Sequence, residues 1–130
     1  MSVNIVKFHL PTEGLTGTAK ARSFSWILDE PESLGGNNQG PMPMEAVYGA
    51  LGGCVAITLR LYAQRKEWDL GEVDVEVFTR ENENRQKVIY KKIKFGNKDL
   101  TEDQIKRLNQ IATKCPVSKL LQQAMPVIVI

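Results

Sequence analysis

Two residues in this chain have side chains that can do covalent chemistry at neutral pH, Cys54 and Cys115. The thiolate is the nucleophile, and a free cysteine ionises near pH ~8.5, so only a few per cent is reactive in an ordinary setting. Cys54 falls about three turns into an expected helix, beyond the reach of the N-terminal dipole, and needs a cation from elsewhere in the fold. Cys115 precedes Pro116 at an expected helix N-cap, where local N–H groups favour a thiolate. A nucleophile plus a thiol at a helix start suits attack followed by disulfide closure. Two inert buried thiols are the alternative, because free cysteine often behaves as a small core hydrophobe. One histidine and two widely separated cysteines supply no local ligand cluster, so no metal is expected.

The elements that must position these thiols follow from the pattern of apolar residues. The first quarter reads as β structure: a short run with Val3, Ile5 and Phe8, a turn at Pro11 and Gly14, a run over 15–21, and a third over 22–28. Residues 29–39 read as a loop. From Pro43 to Lys66 no proline intervenes, and Met44, Tyr48, Leu51, Val55, Leu59 and Tyr62 recur at helical spacing. Such a helix is roughly 36 Å long, more than one small subunit needs. Gly49, Gly52 and Gly53 in its interior each cost about 1 kcal/mol relative to Ala, which implies a kink or a backbone that something approaches closely. Val73, Val75 and Val77 alternate with polar residues as a half-buried strand, and residues 88–95 supply its partner, with Ile89, Ile93 and Phe95 on one face. Thr101 and Gln104 make a capping box for the next helix. Cys115-Pro116 opens a further short helix, and Val127 to Ile130 read as a closing strand.

At 130 residues, 42% of them hydrophobic and 25% charged, the chain is expected to form one α+β domain over 1–130. No stretch approaches the roughly 18 uncharged apolar residues of a membrane span. Lys7, His9 and Glu13 interrupt any secretory pattern, so a cytoplasmic location is expected. A reducing cytoplasm disfavours a structural disulfide. A net charge of +2 argues against nucleic-acid or membrane partners. The lysines at 87, 91, 92 and 94 divide between the two faces of a strand and read as a solvated edge.

The run Gly40-Pro41-Met42-Pro43-Met44-Glu45, continuing through Ala50-Leu51-Gly52-Gly53-Cys54 to Thr58-Leu59-Arg60, resembles the central helix of the OsmC/Ohr family. Lys114-Cys115-Pro116-Val117-Ser118 is similar to that family's second cysteine motif, and Asp29-Glu30-Pro31 before a Gly-rich loop also matches. The resemblance covers nearly the whole chain in order. It implies an intertwined homodimer with long central helices packed between antiparallel β-sheets. It also implies a stress-response thiol peroxidase that reduces organic hydroperoxides or hydrogen peroxide, with Cys54 peroxidatic and Cys115 resolving. Such an enzyme uses no cofactor and is reduced by an external dithiol.

The chain departs from the pattern at one place. The family's hydroperoxide reductases carry a glutamate directly after the proline that starts the central helix, and it orients an arginine toward the thiol. Here Met44 stands at that position and Glu45 one residue later, turned about 100° around the helix. Arg22 in the N-terminal β region is the best match for the arginine, with Lys20 a competitor. Met42, Met44 and Tyr48 are candidates to line an apolar substrate pocket. A second class of function is a non-catalytic dimeric protein that binds a small apolar ligand, and a raised thiol at Cys54 would favour it.

Overall fold

The computed structural model describes residues 5–123 and 125–130, and divides into two compact units, Met1–Val47 and Tyr48–Ile130. Val3, expected in the first strand, lies outside the described residues.

The first unit is a three-stranded antiparallel sheet in the order β1 (Lys7–His9), β2 (Gly17–Ala21), β3 (Phe24–Leu28). Gly14 adopts φ 84° in the first connection, as its place in the turn requires. Ala21 pairs with Phe24, which leaves Arg22 and Ser23 as a two-residue turn with Arg22 at φ 56°. The loop that follows contains one 3-10 turn, Glu32–Leu34, closed by Gly35 at φ 90°.

Asp29 organises that loop. Its buried carboxylate accepts hydrogen bonds from Thr16 Oγ1 (2.7 Å) and from the N–H groups of Glu30 (2.8 Å), Gln39 (3.1 Å) and Asn37 (3.4 Å). Burial alone would raise this carboxyl, but the four donors outweigh it and hold the acid below its ordinary value. A depressed folded-state value means stability that is present above the ordinary carboxylate range and lost as pH falls through the folded value. Hydrogen-exchange protection at Glu30 and Gln39 should therefore fall on acidification through that window. Asp29→Asn should show the same loss already at neutral pH, because an amide turns N–H groups toward donors. Protection unchanged in the variant would refute this role.

The helix α1 (Pro43–Lys66) is continuous through all three glycines. It ends where Glu67 takes φ 58° and Trp68 N–H returns to the Ala63 carbonyl, a Schellman closure. By length and composition α1 could cross a membrane: its most apolar 18-residue stretch has a mean hydropathy of 1.4. That corrects the expectation that no stretch approached a span. Glycine, alanine and threonine between the larger apolar residues raise the average without looking like a hydrophobic run. Leu51, Val55 and Leu59 on one side of α1 are nonetheless packed into the core of the second unit.

That core is built by α1 from residue 48 onward, the antiparallel hairpin β4 (Val73–Glu81) and β5 (Lys87–Phe95), and the helices α2 (Glu102–Ala112) and α3 (Pro116–Gln122). Val73, Val75 and Val77 pair across the hairpin with Phe95, Ile93 and Lys91, and the apolar members of this row pack onto Leu51, Val55, Leu59, Leu108 and Cys115. The capping box at Thr101 and Gln104 is present with both of its hydrogen bonds. Residues 125–130 form no strand: Val127 to Ile130 are exposed and have no strand partner among the described residues. Their β-branched run looks like a strand, but a strand needs a neighbour to satisfy its backbone.

Candidate active site

Within the second unit α1 and α3 bring the two cysteines together. Cys54 faces the core from the middle of α1, half-buried, with Thr58 one turn further along the same face. Cys115 is fully buried at the N-cap of α3, where it accepts the Ser118 N–H at 3.4 Å. Cys54 packs against the buried cluster that contains Cys115, and each thiol influences the ionisation of the other.

The cation beside this pair is Lys91. Its Nζ donates to the Ala112 carbonyl and to Ser118 Oγ, both at 2.9 Å. Ser118 Oγ in turn lies 2.9 Å from Cys115 Sγ. Ser118 Oγ thus accepts from both the Lys91 ammonium and the Cys115 thiol. Lys91 was expected on a solvated strand edge. The register places it instead in the inward row of β5, because residues 89, 91, 93 and 95 share a face.

These contacts set the two thiols apart. Burial pushes the Cys54 thiol up, and its hydrogen bond to Cys115 and the charge there add to the rise against the opposing N–H of Val117. Burial also works to raise Cys115. The Ser118 hydroxyl and N–H, the Cys54 thiol and the Lys91 charge together outweigh it and bring Cys115 below the ordinary thiol value. The expectation that a cation would lower Cys54 is not met within this unit: the cation acts on the other cysteine.

The remaining candidates lie elsewhere on the chain. Arg22 holds its guanidinium 4.9 Å from the centroid of the Phe24 ring. Glu45 accepts the Met42 N–H at 2.8 Å and so closes the first turn of α1, as a capping-box glutamate does. Met42 is half-buried and Met44 exposed; both belong to the first unit. Tyr48 belongs to the second, where its hydroxyl bonds Thr79 Oγ1 and its ring borders a cleft of about 400 Å³ between α1 and β4. Gly49, Gly52, Gly53 and Ala56 form the helical wall of that cleft, and Val73, Val75 and Val77 line its strand side. Sequence reasoning missed Lys91 and gave Ser118 no role. The one signal for Lys91 was a lysine in phase with Ile89, Ile93 and Phe95.

No group of three or more metal-ligating side chains occurs among the described residues. None of the curated proteins matches the chain. Solved structures do match over nearly its whole length. An OsmC-like protein from Mycoplasma pneumoniae superposes with a TM-score of 0.72 at 21% identity, over 95% of this chain and 89% of that one. An organic hydroperoxide resistance protein OsmC from Legionella pneumophila gives 0.65 at 19% identity, over 94% and 90%. The organic hydroperoxide resistance protein OhrB of Bacillus subtilis gives 0.61 at 17% identity, over 95% and 93%. At such identities the likeness shows a shared fold. The family model for OsmC-like proteins matches residues 36–130, a span that holds the central helix, the hairpin and both cysteines. With that match the chain belongs to the OsmC-like protein family.

Proposed function

We propose that the protein is a thiol peroxidase in which Cys54 reduces a hydroperoxide and Cys115 closes a disulfide with it. The observation that supports this most is that Cys54, half-buried on α1, packs against the buried cluster that contains Cys115. The greater exposure of Cys54 supports this division of roles, because Cys115 is fully buried. The Cys54 sulfur takes the terminal peroxide oxygen and becomes a sulfenic acid, while the other oxygen leaves as alcohol or water. The Cys115 sulfur then attacks Cys54, the S–S bond forms and water departs. An external dithiol returns the pair to two thiols. No step is assigned to Arg22 or Glu45.

Purified protein with a dithiol should consume cumene hydroperoxide and hydrogen peroxide, and mass spectrometry should show an intramolecular Cys54–Cys115 disulfide. Cys54→Ser should abolish consumption. Cys115→Ser should halt at the sulfenic acid, which then over-oxidises. Consumption unaffected by Cys54→Ser would overturn the assignment.

A second reading has its own observation. A raised Cys54 thiol beside an apolar cleft of about 400 Å³ also fits a non-catalytic protein that binds a small apolar ligand. Absence of peroxide consumption by either thiol, with saturable binding of an apolar fluorophore in the cleft, would favour it.

A further inference from the structure

Within the second unit, β5 and α3 border a cavity of about 340 Å³ that neither cysteine lines. Its polar wall carries Lys91 and Ser118, and its apolar wall carries Leu51, Val88, Ile89 and Leu121. We propose that this cavity binds a small amphiphilic monocarboxylate, with the anionic head on Lys91 and Ser118 and the alkyl chain against the apolar wall.

Incomplete hydrogen bonding assigns the head of the ligand. An ammonium has three N–H donors. Lys91 spends two of them, on the Ala112 carbonyl and on Ser118 Oγ, each at 2.9 Å. Ser118 Oγ also accepts from the Cys115 thiol at 2.9 Å, so both of its lone pairs are in use. The hydroxyl proton of Ser118 then has no acceptor among the described residues, although the side chain is buried at 3% exposure. A buried donor in that position bears its full desolvation cost unless an acceptor arrives. The third N–H of Lys91 and the O–H of Ser118 sit on atoms 2.9 Å apart, a spacing that suits the two oxygens of one carboxylate.

Charge points the same way. Lys91 is half-buried in the inward row of β5, and both of its partners are neutral dipoles. A charge withdrawn from water calls for a counter-charge, and no acidic side chain borders the cavity. Lys87 also reaches the cavity, but it is exposed and stands opposite Glu81 in the hairpin register, where it has a carboxylate within cross-strand reach. One uncompensated ammonium and two donors fit a monoanion; a phosphate dianion would need more of both. The apolar wall offers nothing to hydrogen-bond and so takes an alkyl chain. A volume near 340 Å³ is at the small end of ligand cavities, which keeps that chain short.

A purely structural lysine is the competing account, since Lys91 ties the C-terminal end of α2 to α3. That role uses neither its third donor nor the Ser118 proton, and it leaves the apolar wall without a purpose. The site is also separate from the cleft between α1 and β4, which borders Asp74 and no cation. Binding here involves no covalent step and does not depend on the peroxidase reading.

Octanoate is the probe, with octanol as the control for charge and acetate as the control for the chain. Isothermal titration calorimetry of the full chain should show one saturable octanoate site per chain, about tenfold or more tighter than either control. Lys91→Met should weaken octanoate by about tenfold or more and leave octanol unchanged, and Ser118→Ala should weaken octanoate by a smaller factor. Leu121 is partly exposed, so Leu121→Glu keeps both donors and sets a carboxylate against the ligand. It should abolish octanoate binding, and it serves as the test where a Lys91 variant fails to fold. Methyl NMR shifts on titration should fall on Leu51, Ile89 and Leu121, and not on Val73, Val75 or Val77 of the α1–β4 cleft. No binding at millimolar octanoate, equal affinity for octanol, indifference to Lys91→Met and Leu121→Glu, or shifts confined to that cleft would each overturn the proposal. Octanoate binding as expected in a protein that consumes no peroxide would count against the peroxidase reading alone.

Discussion

Leu61→Arg is expected to take the protein apart as an assembly, and sedimentation should show the loss of a dimer together with much of its helical circular dichroism. On the unburied side of α1, Ala50, Ile57 and Leu61 follow one another at steps of seven and four, the spacing of a helix–helix seam. Ile57 is 63% exposed and Leu61 50%, while Leu51, Val55 and Leu59 on the neighbouring face are buried. A membrane would meet α1 from all sides. One face already committed to a folded core leaves a seam that fits a second copy of the same helix. By itself the first unit also exposes apolar side chains, since Phe8, Phe24 and Trp26 are all at least 41% exposed. An obligate interface of this composition exceeds about 2,000 Å², and burying a guanidinium at its centre costs about 2 kcal/mol or more. That weakens association by roughly 30-fold or more. Wild-type protein that stays folded as a monomer at micromolar concentration would sink the dimer.

The glycines of α1 offer an independent reading of the same interface. A Cβ at Gly52 would touch Val77 at 3.5 Å, an ordinary contact, and a Cβ at Gly49 or Gly53 would meet nothing within 4 Å among the described residues. Nothing in the chain itself therefore requires these glycines. In an isolated chain Gly53→Ala should stabilise the helix by about 1 kcal/mol. In a dimer whose partner backbone lies against this face, the same change should destabilise.

Much of the fold was legible because local chemistry and tertiary structure agree. The bounds of α1, the capping box at Thr101, the half-buried β4 and the N-cap at Cys115 all follow from residues within a few positions of one another. The two cysteines were legible as a pair only through their surrounding motifs. What escaped the reading depends on register and partners. Lys91 was counted among charged neighbours and not by its phase, although two residues either way place it between isoleucines. Glu45 was weighed as a catalytic group, whereas a glutamate three residues after a helix start has a local use in capping. Val127 to Ile130 have strand composition, but composition does not supply a neighbouring strand. The activating cation was sought for the exposed thiol, where its chemistry is wanted. Lys91 acts instead on the buried one, a placement that the hairpin register decides.

Oxidation should stabilise the protein by about 3 kcal/mol against unfolding, which raises the thermal midpoint by roughly 10 °C. A bridge from Cys54 to Cys115 closes a loop of about 60 residues in the unfolded chain and removes conformational entropy worth about 4 kcal/mol. Part of that gain is lost, because a disulfide sulfur no longer serves as freely as the N-cap of α3, a cap worth about 1 kcal/mol. Cys54 already packs against the cluster that holds Cys115, so closure brings together neighbours within one folded unit. Scanning calorimetry of reduced and mildly oxidised protein measures the difference, with Cys54→Ser under the same oxidant as the control. A positive shift in the wild type that is absent in the variant locates the effect in this bridge. An oxidised wild type that melts with the reduced form, while mass spectrometry finds the bridge closed, would mean that strain and the disturbed cap outweigh the closed loop.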